Sequence, residues 1–343
     1  MIDILKYLPF SKIYVKTPNI MLIFLYYLLL LACIIRFKRN SIRIMLFVKR
    51  NLNKVTRVCI CTILIIIIFF KIDFIDLNQY YHFVDVGQGD CIFIRTTFGK
   101  NLLVDGGEEE YGKNVLMPYL LDRGVSSIDY MIVSHFDSDH VGGLFYILKN
   151  MDVKNVLIGM QYEYNKNFLE FLSLVKEKNI RLKILKLGDN FAIDKSLCME
   201  VLWPPSKKII DENGINNNSL VFKLNNVEFS CLFTGDIEEI AEREILKYYK
   251  NDLKKLNSDV IKVPHHGSNT SSSLDFLEAV QPKVCIIEVG KKNRFGHPND
   301  EIIERYENIN CKIYRTDEMG EITIKKNASF LKKHSKLKIY TKL

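Results

Sequence analysis

Hydrophobic residues are distributed in two unlike ways along the chain. Up to about residue 75 they gather in long uncharged stretches, and beyond it they form short runs cut by polar turns. Residues 19–35 carry no charge over seventeen positions, close to the ~20 that cross a bilayer as a helix. Residues 58–70 are uncharged over thirteen positions and reach spanning length only if Lys71 and Asp73 lie among headgroups. The pattern predicts two transmembrane helices, at about 19–35 and 58–75. The second stretch is otherwise a buried or interfacial helix.

From residue 79 onward the runs have strand length. They fall at 80–86, 91–96, 101–104, 130–134, 155–158, 181–185, 198–203, 220–224, 228–233, 260–263, 284–289 and 312–315. Several are continuous apolar stretches, as in strands covered on both faces. Helical periodicity fills 115–123, 143–150, 165–178, 237–250, 273–280 and 300–307. Early strands cluster and later ones alternate with helices, which predicts an α/β domain over 79–328 with helices covering its sheet faces.

Charge divides at the same boundary. The net charge is +8, but residues 1–70 hold eleven Lys/Arg against the single acid Asp3, or +10, leaving 37 Lys/Arg and 39 Asp/Glu, or −2, for the rest. Basicity is therefore no sign of a nucleic-acid groove in the α/β domain. Residues 36–57 contain eight Lys/Arg and no acid. By the positive-inside rule that loop stays in the cytoplasm, which places the α/β domain on the outer face of the cytoplasmic membrane. Residues 329–343 form a basic tail, expected to be solvated near anionic lipid or cell wall, with nucleic-acid contact as the lesser alternative. The eight cysteines show neither C-x-x-C nor zinc-finger spacing, and those beside strand-like runs are expected to act as small hydrophobes.

The strongest chemical signal is His135-Phe-Asp-Ser-Asp-His140, placed directly after the apolar run 130–134. Alternate residues of an extended loop point to one side, so His135 and Asp137 can converge on one cation while Asp139 and His140 reach a second. Two cations ~3.5–4 Å apart suit phosphodiester hydrolysis, since together they activate water and clamp a phosphoryl group. Asp139 could also orient that water as general base. The plainer alternative is an Asp-rich surface turn. Asp236 is either a further ligand or the N-cap of a helix starting near Ile237. His265-His266 is metal-binding or structural, and the polar segment 267–273, with Ser268, either caps a helix or holds a substrate phosphate. His297 before Pro298 belongs to a surface turn or to a lid over the site. Gly87-Gln-Gly89 lacks the third glycine of a dinucleotide loop, and no G-x-S-x-G elbow occurs.

Taken in order, Phe83-Val-Asp-Val-Gly-Gln-Gly-Asp90, Val104-Asp-Gly-Gly107, the His135–His140 cluster, Thr234-Gly-Asp236, Val263-Pro-His-His-Gly-Ser268, Asn293-Arg-Phe-Gly-His-Pro298 and Tyr314-Arg-Thr-Asp317 resemble the metallo-β-lactamase-like domain at the C-terminus of ComEC-type competence proteins. The resemblance covers about residues 79–325, and residues 8–31 look like the end of that family's membrane domain. It implies a four-layer αβ/βα sandwich with metals at the sheet edges between its halves. Carried over by position, Asp236 would bridge the metals, and one of His265 and His266 would close the second site. His266 is favoured as ligand and His265 as a phosphate contact, with the reverse left open. Asp105 would orient a ligand histidine rather than only turn the chain before Gly106, and Asp85 and Asp90 share that choice.

One departure stands out. The wider superfamily reads H-x-H-x-D-H, whereas Asp137 takes the place of its second histidine and no histidine lies between His140 and His265. The segment 216–219 stands where the missing ligand would arise. The first site should then be oxygen-rich and weaker, and should favour manganese or magnesium over zinc.

The resemblance implies a membrane-anchored hydrolase that takes one or two divalent ions, zinc or manganese, and acts on DNA during uptake. Its expected partners are DNA, membrane lipid and a separate polytopic channel protein, because two spans are too few to enclose a pore. The competing expectations are a phosphoesterase for another substrate, such as a phosphorylcholine-bearing polymer, and a non-catalytic component of a split DNA transporter.

Overall fold

The computed structural model describes residues 20, 23–24, 26–32, 34, 50, 56–57, 77–161, 164–207, 210–226, 228–327 and 337–342. The chain divides into two compact units, Val15–Asp76 and the remainder. In the first unit, the described residues between 20 and 34 are helical and exposed, with Ile20 at 82% and Phe24 at 70% exposure. Among the described residues no helix is long and apolar enough to cross a membrane. Residues 19, 21–22, 25, 33 and 35 of the first expected span, and all of 58–75, lie outside them.

The second unit is built on two sheets. In the larger, Leu337–Lys342, Glu321–Lys326, Gln79–Phe83, Ile92–Arg95, Asn101–Val104, Tyr130–Val133, Asn155–Gly159 and Arg181–Leu185 lie side by side. The first five of these pair antiparallel and the last four parallel, Asn101–Val104 belonging to both sets. The smaller sheet runs Lys312–Arg315, Val284–Ile287, Val260–Lys262, Phe229–Phe233, Val221–Asn226, Leu197–Trp203 and Asn190–Asp194, parallel through Phe229–Phe233 and antiparallel thereafter. A further pair, Ser127–Ile128 with Asp152–Val153, stands apart.

Three apolar layers explain the stacking. Tyr81, Phe83 and Ile94 from the larger sheet meet Met199, Val201 and Phe222 from the smaller in one core between the sheets. On its other face the larger sheet packs Phe93, Met131 and Val133 against Leu144 and Leu148 of the helix Ser138–Asn150 and Phe171 of the helix Lys166–Glu177. The smaller sheet likewise packs Ile261 and Cys285 against Ala241, Phe276 and Ile302, from the helices Glu239–Tyr248, Leu274–Val280 and Asp300–Asn308. Helix, sheet, sheet and helix therefore succeed one another. The order is the αβ/βα sandwich that the resemblance implied.

Several sequence expectations change. The helix expected at 143–150 begins at Ser138, because Gly142 and Gly143 break the helical signal that sequence alone can show. They are there for close approach: a Cβ on Gly143 would stand 2.0 Å from the Gly106 carbonyl oxygen. The basic tail is also not wholly a solvated end. Leu337–Lys342 is an edge strand paired with Glu321–Lys326, with Lys338, Tyr340 and Lys342 alternating with Leu337, Ile339 and Thr341. Lysine on an open edge discourages pairing with other chains, and the charge count hid that alternation. The strands Asn190–Asp194 and Glu321–Lys326 were also missed, the first being a short apolar run between polar ends and the second alternating apolar with polar residues.

Candidate metal centre

The candidate residues collect at the carboxyl ends of the central strands. Asp105 follows Asn101–Val104, His135 follows Tyr130–Val133, Asp236 follows Phe229–Phe233, and His265-His266 follow Val260–Lys262. That edge is where open α/β sheets place their ligands. Phe136 points the other way, into edge contact with Phe168 and Phe171, while its carbonyl accepts from the Asn165 and Asn167 amides at 3.0 and 3.1 Å. The loop is thereby pinned with His135 inward. On the facing side, a Cβ on Gly89 would stand 1.9 Å from the Asp139 carbonyl oxygen. Its absence lets Asp90 reach the centre, and the Asp90 N–H donates to that carbonyl at 3.3 Å.

Four side-chain atoms converge. His140 Nε2 lies 3.2 Å from Asp236 Oδ2 and 3.3 Å from His266 Nε2, and His266 Nε2 lies 3.3 Å from Asp236 Oδ2 and 3.5 Å from Asp139 Oδ2. An ion bound tetrahedrally at ~2.0–2.1 Å holds its ligand atoms about 3.3–3.4 Å apart. His140, His266 and Asp236 match that spacing mutually, Asp139 stands 3.5 Å from His266, and two imidazoles with two carboxylates suit a divalent metal in chemistry. Each imidazole is held from behind. His140 Nδ1 lies 3.1 Å from Asp105 Oδ2, and His266 Nδ1 lies 2.7 Å from the Glu288 carbonyl. Asp105 is itself fixed by the Ser134 N–H at 2.8 Å and the Ser134 hydroxyl at 2.6 Å. It therefore orients a histidine, the second of the two roles weighed for it, as well as ending its strand. Burial disfavours charge on His140 and on His266, yet the surrounding carboxylates, Asp236 foremost, outweigh burial and lift both imidazoles well above their ordinary value. Burial also opposes the Asp139 carboxylate, and His266 and His140 overcome it to keep that group ionised.

A lysine completes the cluster. Lys262, 1% exposed, directs its ammonium to Asp90 Oδ2, to Asp236 Oδ1 at 3.4 Å and to the Gly235 carbonyl at 3.3 Å. Burial would discharge it, but Asp90 and Asp236 hold it protonated. Glu288 stands behind, receiving the Cys91 N–H at 3.0 Å. Burial, reinforced by the charge of Asp90, pushes its carboxyl well above the usual range. Lys262 and Glu288 were missed from sequence because each sits in or beside an apolar strand run and resembles an outward-facing residue. Their signal was their proximity to motif residues, Lys262 three residues before His265.

The other expected donors are sparser. His135 is fully buried and its Nδ1 meets the Ser134 hydroxyl at 2.9 Å. Its Nε2 is buried with no hydrogen-bond partner among the described residues. Asp137 lies 3.9 Å away with 41% of its side chain exposed. In the segment 216–219, the buried Asn216 Oδ1 also lacks a partner among the described residues, whereas Asn217 binds Glu238 and Glu212, and Ser219 Oγ accepts from the Asp236 N–H. Asp236 caps no helix, since the following one starts at Glu239 with Glu238 before it.

The remaining candidates take the following places. Asp85 is exposed and accepts the Gly87 N–H at 3.1 Å; it turns the chain so that Asp90, not Asp85, enters the centre. Ser268 bonds to Thr270, and the Ser272 and Ser273 N–H groups donate to Glu242 at 2.6 and 2.8 Å. A buried carboxylate thus already takes two of the amides that the phosphate alternative would use. Finally, the turn Pro264–Gly267 is left-handed at both histidines, with φ of 49° at His265 and 52° at His266, as Asp105 is at 53°. The turn sends only His266 into the cluster. His265 remains at the rim, near Glu238 and Thr270 at 3.5 Å.

Beside that rim lies the segment 290–298. Asn293 organises it, accepting from the Phe295 and His297 N–H groups and donating to the Gly290 and His297 carbonyls. The Asn299 N–H bonds to the Gly267 carbonyl at 2.9 Å, seating the segment against the histidine turn. His297 stands 5.8 Å from His265 and stacks on Phe295 at 5.9 Å. Burial, with the neighbouring histidines, brings His297 down to about 4, so it is neutral at physiological pH. Phe295 is 52% exposed with Arg294 over its ring, and Lys291 and Lys292 are exposed beside it.

The family model described as the metallo-beta-lactamase superfamily matches residues 84–287. The chain is 30% identical over 292 residues to ComE operon protein 3 of Bacillus subtilis, covering 80% of this chain and 36% of that protein. It is 31% identical over 238 residues to competence protein ComA of Neisseria gonorrhoeae, covering 69% and 31%. The chain thus spans about a third of the length of these relatives. Among solved structures, a variant of the β-hydroxylase CmlA superposes with a TM-score of 0.50 at 14% identity, covering 71% of this chain and 53% of that one, a likeness of fold.

Proposed function

The chain belongs to the metallo-beta-lactamase superfamily, and on that premise we propose that it is a membrane-anchored, metal-dependent phosphodiesterase of the ComEC competence type that cleaves DNA during uptake. The observation that carries this reading is the convergence of His140, His266 and Asp236 at tetrahedral spacing, with Asp139 3.5 Å from His266. A divalent ion held there supplies a Lewis acid for phosphoryl oxygens and brings water within reach of ionisation at neutral pH. The chain's own groups divide the remaining work. Asp139, kept ionised and part exposed, is placed to accept a proton, while His265 and the neutral His297 line the rim where a substrate phosphate would enter.

Nucleic acid is favoured as substrate by the competence relatives and by the segment 290–298. Phe295 offers a ring to a base and Lys291, Lys292 and Arg294 offer charge to phosphates, the pairing that single-stranded nucleic acid recruits. The exposed apolar helical residues between 20 and 34 support anchoring to lipid, and the basic residues of 36–57 support an outward-facing catalytic domain.

The test is hydrolysis by the purified chain of single-stranded DNA, double-stranded DNA and a phosphorylcholine ester, each with manganese, magnesium or zinc. Metal-dependent DNA cleavage is expected. Cleavage of the phosphorylcholine ester alone would move the substrate to a wall polymer, and a metal-loaded chain inert toward all three would favour a non-catalytic transporter component. A reporter active only outside the cytoplasm should work when fused after Leu343 and fail when fused near Asn51.

A further inference from the structure

The carboxylate of Asp236 is divided between two kinds of partner. Its Oδ2 faces the imidazoles of His140 and His266, and its Oδ1 faces the ammonium of Lys262. A carboxylate that bridges two divalent ions commonly gives one oxygen to each. Here the second oxygen already has a cation, fixed at the end of a buried strand and held by three oxygens, those of Asp90, Asp236 and Gly235. Burying an ammonium is costly unless it is paired in this way, so the lysine is seated for its charge.

We infer that Lys262 is a resident monovalent cation that takes the Asp236 oxygen a second divalent ion would need, so that the centre holds one ion tightly and the His135 side a second only weakly. The inference rests on the metal-centre reading above. It gives a cause for unequal affinity that the missing histidine does not. The weak position is left with His135 Nε2, the exposed Asp137 and a shared Asp236 Oδ2, crowded by the ammonium beyond it. A lysine that merely neutralised Asp90 would have no influence on ion number.

Ion number is therefore the discriminating measurement. Purified full-length chain would be assayed for metal by elemental mass spectrometry after desalting, and titrated calorimetrically with manganese, as wild type, as Lys262→Met and as Lys262→Met/Asp90→Asn. The double variant removes both members of the buried pair, so that folding survives if the single variant proves unstable. Wild type should retain one ion per chain, and a second should bind at least ~100-fold more weakly. Removing the ammonium should tighten that second ion by ~10-fold or more in whichever variant keeps its thermal transition, with the first ion retained. Two equally tight ions in wild type, or second-ion affinity unchanged in a folded variant, would overturn the inference while leaving the hydrolase reading intact. A wild-type chain that binds no ion at all would overturn both.

Discussion

His135, on the pinned loop, and His140, in the first turn of the helix Ser138–Asn150, stand five residues apart, both fully buried, and their surroundings make opposite demands on them. Around His140, Asp105 fixes one ring nitrogen while Asp236 and His266 meet the other. Around His135 there is a serine hydroxyl on one nitrogen, no partner among the described residues on the other, and an exposed carboxylate beyond hydrogen-bond reach. Burial disfavours the charged form of both. It prevails at His135, where the charge of His140 adds to it, and is overridden at His140 by carboxylates. The two halves of one motif thus meet unlike surroundings. What separates them is the company supplied by the opposite sheet, which sets Asp236 within reach of both histidines but brings His266 to His140.

The sharpest way to break this comparison is to remove a donor from the crowded side. Asp139→Ala or Asp236→Ala should release the tight ion and cut hydrolysis by more than the ~10–100-fold that losing an outer hydrogen-bond partner costs, with the far-ultraviolet circular dichroism unchanged. Full activity in either variant would remove the metallohydrolase reading. Asp105→Asn keeps the shape but not the charge behind His140, and should weaken metal binding ~10–100-fold, measured by competition with a chelating dye.

The segment that follows the histidine turn is held by Glu242, which burial pushes up to about 7 against the pull of the Ser272 and Ser273 N–H groups. Its folded value lies above its unfolded one. The stabilisation is therefore full below pH ~4.5 and is lost as pH rises through ~7, at on the order of 1 kcal/mol per pH unit. Glu242→Gln should flatten that slope in denaturant titrations between pH 5 and 7. An unchanged slope would mean that Glu242 does not ionise there.

On the sparse side the effects should be smaller. Asp137→His should move the preference for the weak ion from manganese toward zinc by a few-fold, on the order of 1 kcal/mol, as read by parallel titrations with the two metals. Asp85→Ala, beyond both sides, should change metal binding and turnover by less than ~2-fold. A large loss there would show that the exposed turn residue does more than shape the path to Asp90.

The sandwich was legible where a parallel strand is buried on both faces and reads as an unbroken apolar run, as at Val284–Ile287; the bounds of 101–104, 181–185 and 312–315 also matched to the residue, although the last two are edge strands with exposed or half-buried positions. Strands with mixed faces, such as Leu337–Lys342, left no such run. In the centre, His140, Asp139, Asp236 and His266 were legible because each ends an apolar strand or opens a helix within a short motif. Lys262 was not, since a lysine closing a strand ordinarily points to water. The fate of the segment 267–273 was also hidden. Its amides are claimed by Glu242, some thirty residues earlier in the chain, a pairing that only the packing of two helices creates.

Among the described residues, Asp105, His265 and His266 each hold a left-handed backbone without being glycine, a conformation that costs on the order of 1 kcal/mol apiece. All three lie in or beside the cluster of carboxylates and imidazoles. Three of the nine such residues among those described thus fall where the chemistry is concentrated. Glycine at His265 would relax the turn and raise the melting temperature, while blunting the aim of the next residue. Selection for thermal endurance alone would be expected to erode this corner first, so its persistence in a lineage would itself report that the centre is in use.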